Sequence, residues 1–402
     1  MNIHKGYKTE LKLNERQKEL CRRHAGCARF AYNWGLLRKI TEYKETGSQI
    51  SAIDLHKELN QLKKTHYKWM YEVSKCAPQE ALRNLDKAFM QFFQCIQRDE
   101  KPGFPKFKSR KRGIGSFRLT GVIRVFQDSI QLPRLGRLRL KESGYLPPES
   151  QCIHILSATI SEKAGRWFVS LQVQEDILVR QNFGPVVGID VGVCSLVTIS
   201  DRTVVENPKA LNRFERKIKR NQKELARRKH GSKNWEKTLH RLRKTYSRIT
   251  RIRKDAIHKV TTKLAKTKSI VVIEDLNVEG MRKNRRLSKS ISDAGFSEIR
   301  RQLEYKTKWY GSKLKLAPRF YPSSKRCSRC GLIKNKLSLS TRIYQCKNCG
   351  LEIDRDLNAS FNLELVAVSP TETINACFEM EGYSRLAVPS MMQEARRSSN
   401  EL

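Results

Sequence analysis

The sequence predicts a multidomain α/β protein, and three observations support that fold class. At 402 residues the chain is long enough for two or three domains. Short apolar runs typical of β-strands lie between long stretches in which apolar residues recur at helical spacing. Two cysteine pairs near the C-terminal end indicate a small metal-bound module within the larger architecture.

The net charge indicates the class of partner. Lys and Arg number 81 against 40 acidic residues, which gives a formal charge of +41. Self-repulsion of this size destabilises a compact chain unless a polyanion neutralises it, and nucleic acid is the obvious polyanion. A basic surface that only faces solvent is the alternative.

The sequence contains no signal for a membrane. No apolar stretch approaches the ~20 residues that cross a bilayer, and the N-terminus, MNIHKGYKTE, has no apolar signal core. We therefore expect a cytoplasmic protein without a membrane partner.

The chain begins with a short strand that ends at Asn14. Asn14 and Gln17 predict a capped helix start, and the helical pattern continues to about Arg98. Residues 101–115 follow, with two prolines, three glycines and six basic residues. This composition predicts a basic loop that lies along phosphates.

Residues 116–178 have the pattern of a β-rich segment. SFRLT, IRVF, SIQL and RLRL are short, near-alternating runs, and a hairpin is predicted to turn at Lys163 to Gly165. We expect the N-terminal strand to join this sheet, which makes the helical block an insertion.

From Val186 the pattern changes to buried strands and a basic helical hairpin. VVGIDVGV is a buried strand, and a short hairpin follows it. Residues 209–259 hold 20 Lys or Arg and only four acidic residues, with a predicted turn at Gly231-Ser232. One apolar seam is expected along these helices, formed by Leu239, Leu242, Tyr246, Ile249, Ala256, Val260 and Leu264.

Further predicted elements complete this half. SIVVIEDL (residues 269–276) is a buried strand, a helix runs from about Phe296 to Tyr310, and a short strand ends at Pro318. DRDLNASFNLELV predicts a final helix. Residues 369–402 lose periodicity and are predicted to be a disordered tail.

The spacing of four cysteines predicts a structural zinc site. Cys327 and Cys330 form one C-x-x-C pair, and Cys346 and Cys349 form a second. Four thiolates make a closed tetrahedral site that suits Zn²⁺ and leaves no open position for catalysis. An iron–sulfur cluster usually has different spacing, and two disulfides are disfavoured in a reducing compartment.

Asp190 is a candidate metal ligand because of its neighbours in VVGIDVGV. Gly188 and Gly192 share its face of the strand, which leaves room for an ion and a phosphate to approach. The alternative is a polar strand end, or an Asp that opens a turn.

Two acidic pairs offer further candidates. Glu274 ends a buried strand, where a carboxylate is costly unless it is paired or bound to metal, while Asp275 points to the opposite face or caps the next turn. Asp354 and Asp356 precede the final helix, and either could cap it. The residues alone do not separate the members of each pair.

Three carboxylates on a strongly basic chain are best explained by metal. Carboxylates can hold two Mg²⁺ ions ~3.5–4 Å apart, of which one activates water and the other stabilises the leaving oxygen of a phosphodiester.

Several motifs occur in a fixed order along the chain. They are VVGIDVGV, VVIEDLNVEGM, YPSSKRCSRCG with CKNCG, and DRDLNASFNL, preceded by SKCAPQEALRNLDKAF, GFPKFKSRK with SFRLT, and LARRKHGSKNWEK. In this order they resemble TnpB-type (OrfB) proteins of bacterial insertion sequences, which resemble ancestors of the type V CRISPR effectors. The resemblance covers roughly residues 1–365.

The resemblance implies a domain organisation. An RNase H-like (RuvC) nuclease domain would span 181–320 and 351–368, with a zinc ribbon inserted at 321–350. An N-terminal β-barrel of wedge type would span 1–13 and 101–180, and a helical recognition lobe would be inserted in it at 14–100.

The resemblance also implies the activity. Asp190, Glu274 and Asp356 would be the catalytic acids, and a transposon-derived guide RNA would pair with double-stranded target DNA. In such systems base pairing carries most sequence specificity, while the protein reads shape and a short flanking motif. A separate transposase from the same element is a further expected partner.

Eight residues are expected to contact nucleic acid. The resemblance places the reading of the flanking motif near Lys75, Gln79 and Thr120. The basic loop and the basic hairpin supply the others, which are Lys106, Lys108, Arg227, Arg228 and Lys229.

Two other functions remain open at this point. A transposase that performs DNA strand transfer also uses three acids, but commonly with Glu as the third, whereas the order here is Asp, Glu, Asp. A non-cleaving nucleic-acid-binding regulator is the other alternative, and the presence of all three acids counts against it.

Overall fold

A computed structural model describes residues 1–110, 113–338 and 340–368. The chain forms two compact units: the first is Met1–Val179 with Leu211–Arg251, and the second is Arg180–Ala210 with the described residues from Ile252 onward. The predicted disordered tail, 369–402, lies outside the described residues. Among the helices that the structure describes, none is long and apolar enough to cross a membrane.

A seven-stranded antiparallel sheet lies in the first unit. Its order is β2-β6-β7-β1-β5-β4-β3. The strands are β1 (Asn2–Lys12), β2 (Ser116–Leu119), β3 (Arg124–Val125), β4 (Ser129–Leu132), β5 (Gly136–Leu140), β6 (Ile153–Lys163) and β7 (Arg166–Asp176). Strand β1 is the central strand, paired with β7 from Asn2↔Asp176 to Leu11↔Trp167. The N-terminal strand therefore joins the β-rich segment, as the sequence predicts.

Helices fill the sequence between β1 and β2. They are α1 (Glu15–Thr46), α2 (Ala52–Thr65), a 3₁₀ helix (Lys68–Glu72) and α3 (Cys76–Gln97). The predicted cap is present, since the Asn14 side chain accepts from the Gln17 N–H at 2.8 Å and the Gln17 side chain accepts from the Asn14 N–H at 3.1 Å. Helices α1 and α3 cross closely at Gly35, where a Cβ atom would lie 2.5 Å from Leu82.

The basic hairpin consists of α4 (Ala210–Arg227) and α5 (Lys233–Thr267), with Gly231 at φ +80° between them. One member of the predicted seam is wrong: Tyr246 is 42% exposed. Thr245 is buried instead. Its hydroxyl donates to the Arg241 carbonyl at 3.0 Å, so its burial leaves no unpaired polar group.

A five-stranded mixed sheet lies in the second unit, in the order β10-β9-β8-β11-β12. Strands β8, β11 and β12 are parallel, and β9 and β10 extend the sheet in antiparallel fashion. The strands are β8 (Val187–Val191), β9 (Ser195–Ile199), β10 (Val204–Glu206), β11 (Ile270–Glu274) and β12 (Lys313–Ala317).

Four helices of the second unit follow β11 in the chain: α6 (Val278–Lys283), α7 (Ser288–Ala294), α8 (Phe296–Trp309) and α9 (Arg355–Val368). Helices α6 and α7 were not expected, because six or seven residues are too few for a helical period to be visible. A small antiparallel pair, β13 (Ile343–Gln345) and β14 (Glu352–Asp354), lies in the cysteine module.

The two faces of the second sheet are covered by different helices. On one face Ile189 and Ile273 pack with Val260 of α5 and Leu303 of α8. On the other face Val272 packs with Leu363 and Val366 of α9. Since side chains alternate along a strand, this arrangement fixes which helix each acidic residue faces.

Candidate active site

Strand alternation places Asp190 and Glu274 on the α9 face of the sheet. Asp190 lies two residues after Gly188 and Glu274 two residues after Val272, both of which face α9. In the parallel pairing of β8 with β11, Ile189 is opposite Ile273, so the next pair in register is Asp190 and Glu274. The two carboxylates therefore lie side by side at the carboxyl ends of adjacent parallel strands.

Helix α9 reaches this pair because Gly188 has no side chain. A Cβ atom on Gly188 would lie 2.0 Å from the Ser360 carbonyl oxygen and 2.3 Å from the Glu364 nitrogen, so the helix backbone rests directly on the strand. The expectation that this glycine leaves room for an ion and a phosphate is thus wrong, since α9 occupies the space.

The same contact aligns Asp356 with Asp190. Asp190 lies two residue steps along the strand from Gly188, about 6.6 Å, and Asp356 lies four residue steps along the helix from Ser360, about 6 Å. These equal steps bring the first turn of α9 beside Asp190, and the Asp356 carboxylate is close enough to raise the pKa of Asp190.

The three carboxyl groups share an environment that resists their ionisation. Burial raises the pKa of Asp190 well above its usual value, and the carboxylates of Glu274 and Asp356 raise it further. Burial also raises the pKa of Glu274, against a hydrogen bond from Ser323, and that of Asp356. The Arg355 guanidinium opposes all three shifts. A bound cation would stabilise the charged forms.

The neighbouring acids have other partners in the chain. The Asp354 carboxylate accepts the backbone N–H groups of Asp356 at 2.9 Å and Leu357 at 3.0 Å, so Asp354 caps α9. Asp275 faces the opposite side of the sheet and forms an ion pair with Arg300 of α8 at 2.5 Å. Asp354 and Asp275 thus have partners within the chain besides the carboxyl groups of Asp190, Glu274 and Asp356.

The three carboxylates do not converge as ligands of a single ion. Within the described part of the chain, only the four cysteines bring three or more candidate ligand atoms within 4.8 Å of one another. A donor set of carboxylate oxygens fits Mg²⁺, which keeps several waters and takes one or two carboxylates per ion.

The four cysteines have the geometry of a tetrahedral site. The sulfurs of Cys327 and Cys349 lie 3.6 Å apart, and those of Cys330 and Cys346 lie 3.5 Å apart. A Zn–S bond of ~2.3 Å implies sulfur–sulfur edges of ~3.8 Å in a tetrahedron. These residues therefore fit Zn²⁺.

The two cysteine turns have matching backbones. After each pair the glycine N–H donates to the carbonyl of the first cysteine, Gly331 to Cys327 at 3.0 Å and Gly350 to Cys346 at 3.1 Å. The positive φ values of Gly331 (+79°) and Gly350 (+68°) are the left-handed conformation that favours glycine.

The pKa values of three of the four thiols are shifted, and not all in the same direction. The backbone N–H of Leu332 lowers the pKa of Cys330 to about 6, and the backbone N–H of Cys349 lowers that of Cys346. Burial raises the pKa of Cys327 to about 12. A thiolate at Cys327 thus requires a cation beside it, which Zn²⁺ would supply.

Residues predicted to contact nucleic acid lie in three places in the first unit. Lys75 and Thr120 line one groove of about 920 Å³, whereas Gln79 lies one turn along α3 and is not part of its lining. Lys106 and Lys108 line a second cavity of about 550 Å³, where the Lys108 ammonium sits 3.7 Å from the centre of the Tyr32 ring.

The third place is the end of α4. Arg227 and Lys229 are exposed there, while Arg228 is held by Glu224 at 3.6 Å and donates to the Asn234 carbonyl at 2.5 Å. Arg228 therefore has partners within the chain, and the other two face solvent.

Sequence reasoning missed a basic cavity of about 410 Å³ in the first unit. It lies between the β6–β7 turn and helices α4 and α5, and Phe214 lines it. The cations that line it are Arg166, Lys217, Arg241, Lys244, Arg248 and Arg251. Burial and the nearby Arg251 lower the pKa of Arg166, although Arg166 also forms an ion pair with Glu10. Only the fold brings these residues together from three elements.

Other missed residues connect the metal candidates. Ser323 bonds Glu274, Arg355 lies among the carboxylates, and Asn358 and Asn362 are buried on α9. The i, i+4 spacing of two asparagines in DLNASFN was a usable signal for the last pair, because buried amides on one helix face require specific partners.

Two family models match consecutive parts of the chain. A family model described as a probable transposase, OrfB_IS605, matches residues 168–285, and a Cas12f1-like TNB domain model matches residues 296–363. A protein of Streptomyces pristinaespiralis named "Putative RNA-guided DNA endonuclease" is 33% identical over 388 residues, which cover 96% of this chain and 94% of that protein. The chain belongs to the OrfB (TnpB-like) family.

Another relative and a solved structure match more than nine tenths of the chain. The Escherichia coli K12 protein InsQ, named in the same way, is 30% identical over 393 residues, covering 93% of this chain and 94% of its own. The structure of the mini-RNA-guided endonuclease CRISPR-Cas_phi3 covers 92% of this chain and 93% of its own at 10% identity, with a TM-score of 0.46. The family resemblance predicted from the motifs is confirmed by the sequence relatives alone.

One family description differs from the local structure. A helix-turn-helix domain model of the OrfB family matches residues 1–48. In this range, all of which is described, the chain forms strand β1 and the single helix α1 of 32 residues. The matched segment is therefore a strand followed by one long helix.

Proposed function

We propose that this OrfB-family protein is an RNA-guided DNA endonuclease that hydrolyses phosphodiesters at Asp190, Glu274 and Asp356. The observation that carries the proposal is the grouping of these three acids, from β8, β11 and α9, on one face of the sheet. Similarity over nearly the whole chain to proteins named as RNA-guided DNA endonucleases supports the substrate.

The three acids would hold two Mg²⁺ ions. Bound there, the ions would supply an activated water and stabilise the leaving oxygen. The protein's own part is to fix the carboxylates: α9 rests on Gly188 and so sets the position of Asp356, and Ser323 holds Glu274. Arg355 offsets part of the mutual repulsion of the acids before metal binds.

The proposed function assigns a role to each part of the chain. The seven-stranded sheet would form the wedge-type barrel, with α1 to α3 as the inserted recognition lobe, at the domain boundaries expected from the sequence. The five-stranded sheet with α9 would form the RuvC-like nuclease domain of RNase H type, and the four-cysteine module its inserted zinc ribbon.

The basic surfaces would hold the nucleic acids. The groove lined by Lys75 and Thr120, with Gln79 nearby, would read the flanking DNA motif. Lys106, Lys108, Arg227, Arg228, Lys229 and the basic cavity would contact phosphates of a transposon-derived guide RNA and of the target duplex. We propose that the protein acts in the cytoplasm and that a separate transposase of the same element moves the DNA.

The test is cleavage by the purified full-length protein. Expressed with its flanking transposon end, it should copurify with an RNA whose sequence predicts the DNA that is cut in Mg²⁺. Asp190→Ala, Glu274→Ala and Asp356→Asn should abolish cutting. Asp354→Asn is the matched control, because Asn also caps helices well and should leave cutting intact. Cleavage that survives at Asp190→Ala or Glu274→Ala would overturn the site.

Strand transfer by this chain is the second candidate, favoured by the description of the OrfB model as a probable transposase. It predicts joined DNA products in the absence of RNA. Cleavage that requires the copurified RNA and gives no joined products excludes it.

A further inference from the structure

Glu274 is held by a residue outside its own sheet. The Ser323 hydroxyl donates to one Glu274 carboxylate oxygen. Ser323 is itself buried and lies in the segment between β12 and the first cysteine pair. The orientation of Glu274 therefore depends on where this segment lies.

Two asparagines on α9 fix that segment. The Asn362 side-chain amide donates to the carbonyl of Ser323 and to that of Arg326, each at 2.7 Å. The Asn358 amide also donates to the Arg326 carbonyl at 2.7 Å, and its oxygen accepts the backbone N–H of Ser328 at 3.0 Å. Both asparagines have 0% exposure.

These bonds enclose a zinc-site cysteine. Arg326 and Ser328 precede and follow Cys327 in the sequence, so the asparagines form hydrogen bonds with the backbone on both sides of this cysteine. A buried amide is costly without partners, and here the partners are backbone groups of a single short segment. Moving this segment would break the hydrogen bonds of both amides, so these bonds hold the segment in one position.

The same helix carries Asp356. Helix α9 thus holds one candidate catalytic acid in its first turn and, through Asn362 and Ser323, orients a second. A continuous series of contacts connects Cys327, through Arg326 and Asn362, to Ser323 and Glu274. All of these residues lie in the second compact unit.

We propose that Ser323, Asn358 and Asn362 are positioning residues that make the metal-binding geometry of Glu274 depend on the intact four-cysteine module. The inference rests on the proposed function and deepens it. Loss of zinc would free the segment around Cys327 and let Ser323 leave Glu274. The acidic site would then bind divalent ions weakly, although the acids themselves are unchanged.

The decisive comparison is between two adjacent serines. Ser323→Ala removes the hydroxyl that bonds Glu274, whereas the control Ser324→Ala removes the neighbouring hydroxyl. We expect Ser323→Ala to keep its zinc but to bind Mn²⁺, used as the probe of the acidic site, about tenfold more weakly, since hydrogen bonds to charged groups have this order of strength. Ser323→Thr keeps a hydroxyl and should restore the affinity.

Two further variants test the rest of the chain of contacts. Asn362→Leu has a similar volume without the amide, and Cys346→Ser removes a zinc ligand far from Ser323 in sequence. Both variants should bind Mn²⁺ more weakly. In DNA cleavage assays, both variants and Ser323→Ala should show a lower kcat with little change in KM. Zinc content by elemental analysis and Mn²⁺ titration are measured on the full-length protein.

The outcomes separate this inference from the proposed function. Equal Mn²⁺ affinity in Ser323→Ala and Ser324→Ala overturns the positioning role even where the wild type cuts DNA. Unchanged Mn²⁺ affinity in a zinc-free, folded Cys346→Ser protein overturns the link to the cysteine module. A wild type that binds Mn²⁺ at these acids but never cuts DNA contradicts the proposed function and leaves the Mn²⁺ comparison valid.

Discussion

Replacing Gly188 with alanine should damage the candidate active site more than it damages the fold. The added Cβ atom would lie 2.0 Å from the Ser360 carbonyl oxygen and 2.3 Å from the Glu364 nitrogen. Both are backbone atoms of α9, so no side chain can rotate away, and the helix itself must move.

The required movement sets the magnitude. An ordinary contact begins at about 3.4 Å, so α9 must retreat by more than about 1 Å. Overpacking of this kind costs about 1–3 kcal/mol of unfolding free energy. A misplacement of about 1 Å at a reacting group can cost on the order of 100-fold in rate, and the displaced helix carries Asp356.

The assay combines urea unfolding with single-turnover DNA cleavage. Gly6→Ala is the matched control, because a Cβ atom on Gly6 meets nothing within 4 Å. We expect Gly188→Ala to lower the unfolding midpoint and to lose about two orders of magnitude in cleavage rate, while Gly6→Ala behaves as the wild type. A Gly188→Ala protein with wild-type stability and rate would refute the packing of α9 on β8.

Three other predictions concern ions. Because burial and the neighbouring carboxylates raise the pKa of Asp190, a proton competes with metal there at a higher pH than at an ordinary carboxyl group. Mn²⁺ affinity should therefore increase as the pH rises above the range in which an ordinary Asp titrates, with proton release detectable by calorimetry in two buffers. A pH-independent affinity contradicts this. Cys346→Ser should lose zinc and lower the melting temperature, since structural zinc typically contributes ~10–16 kcal/mol of binding free energy; a zinc-free wild type would contradict the site. Double replacement of Lys244 and Arg251 by alanine should reduce the slope of log affinity against log salt by about 0.7–0.9 per lost phosphate contact, and an unchanged slope would show that the basic cavity binds no phosphate.

The features that the sequence could predict depend on residues close together in the chain. The C-x-x-C pairs with their glycines, the Asn14–Gln17 cap and the hairpin turn near Gly165 depend on residues a few positions apart. Alternation along β8 is equally local, and it placed Gly188 and Asp190 on one face of the strand. These features need no knowledge of the tertiary fold.

Other features depend on partners distant in the chain. The sequence placed Gly188 and Asp190 on one face but could not show that α9 fills the space over Gly188. It placed Tyr246 in an apolar seam, whereas the folded chain buries Thr245 and leaves Tyr246 42% exposed. The bond from Ser323 to Glu274 joins residues 49 positions apart, which no spacing rule predicts.

The central position of β1 has a consequence for synthesis of the protein. Strand β1 pairs along most of its length with β7, which is synthesised later and whose last residue is Asp176. The first compact unit also includes residues up to Arg251. Because the ribosome adds ~5–20 residues per second, β7 is completed on the order of ten seconds or more after β1. During that time its polar backbone edges are open to other chains. Nascent β1 therefore depends on protection, by a chaperone or by nucleic acid bound early, until β7 has been synthesised.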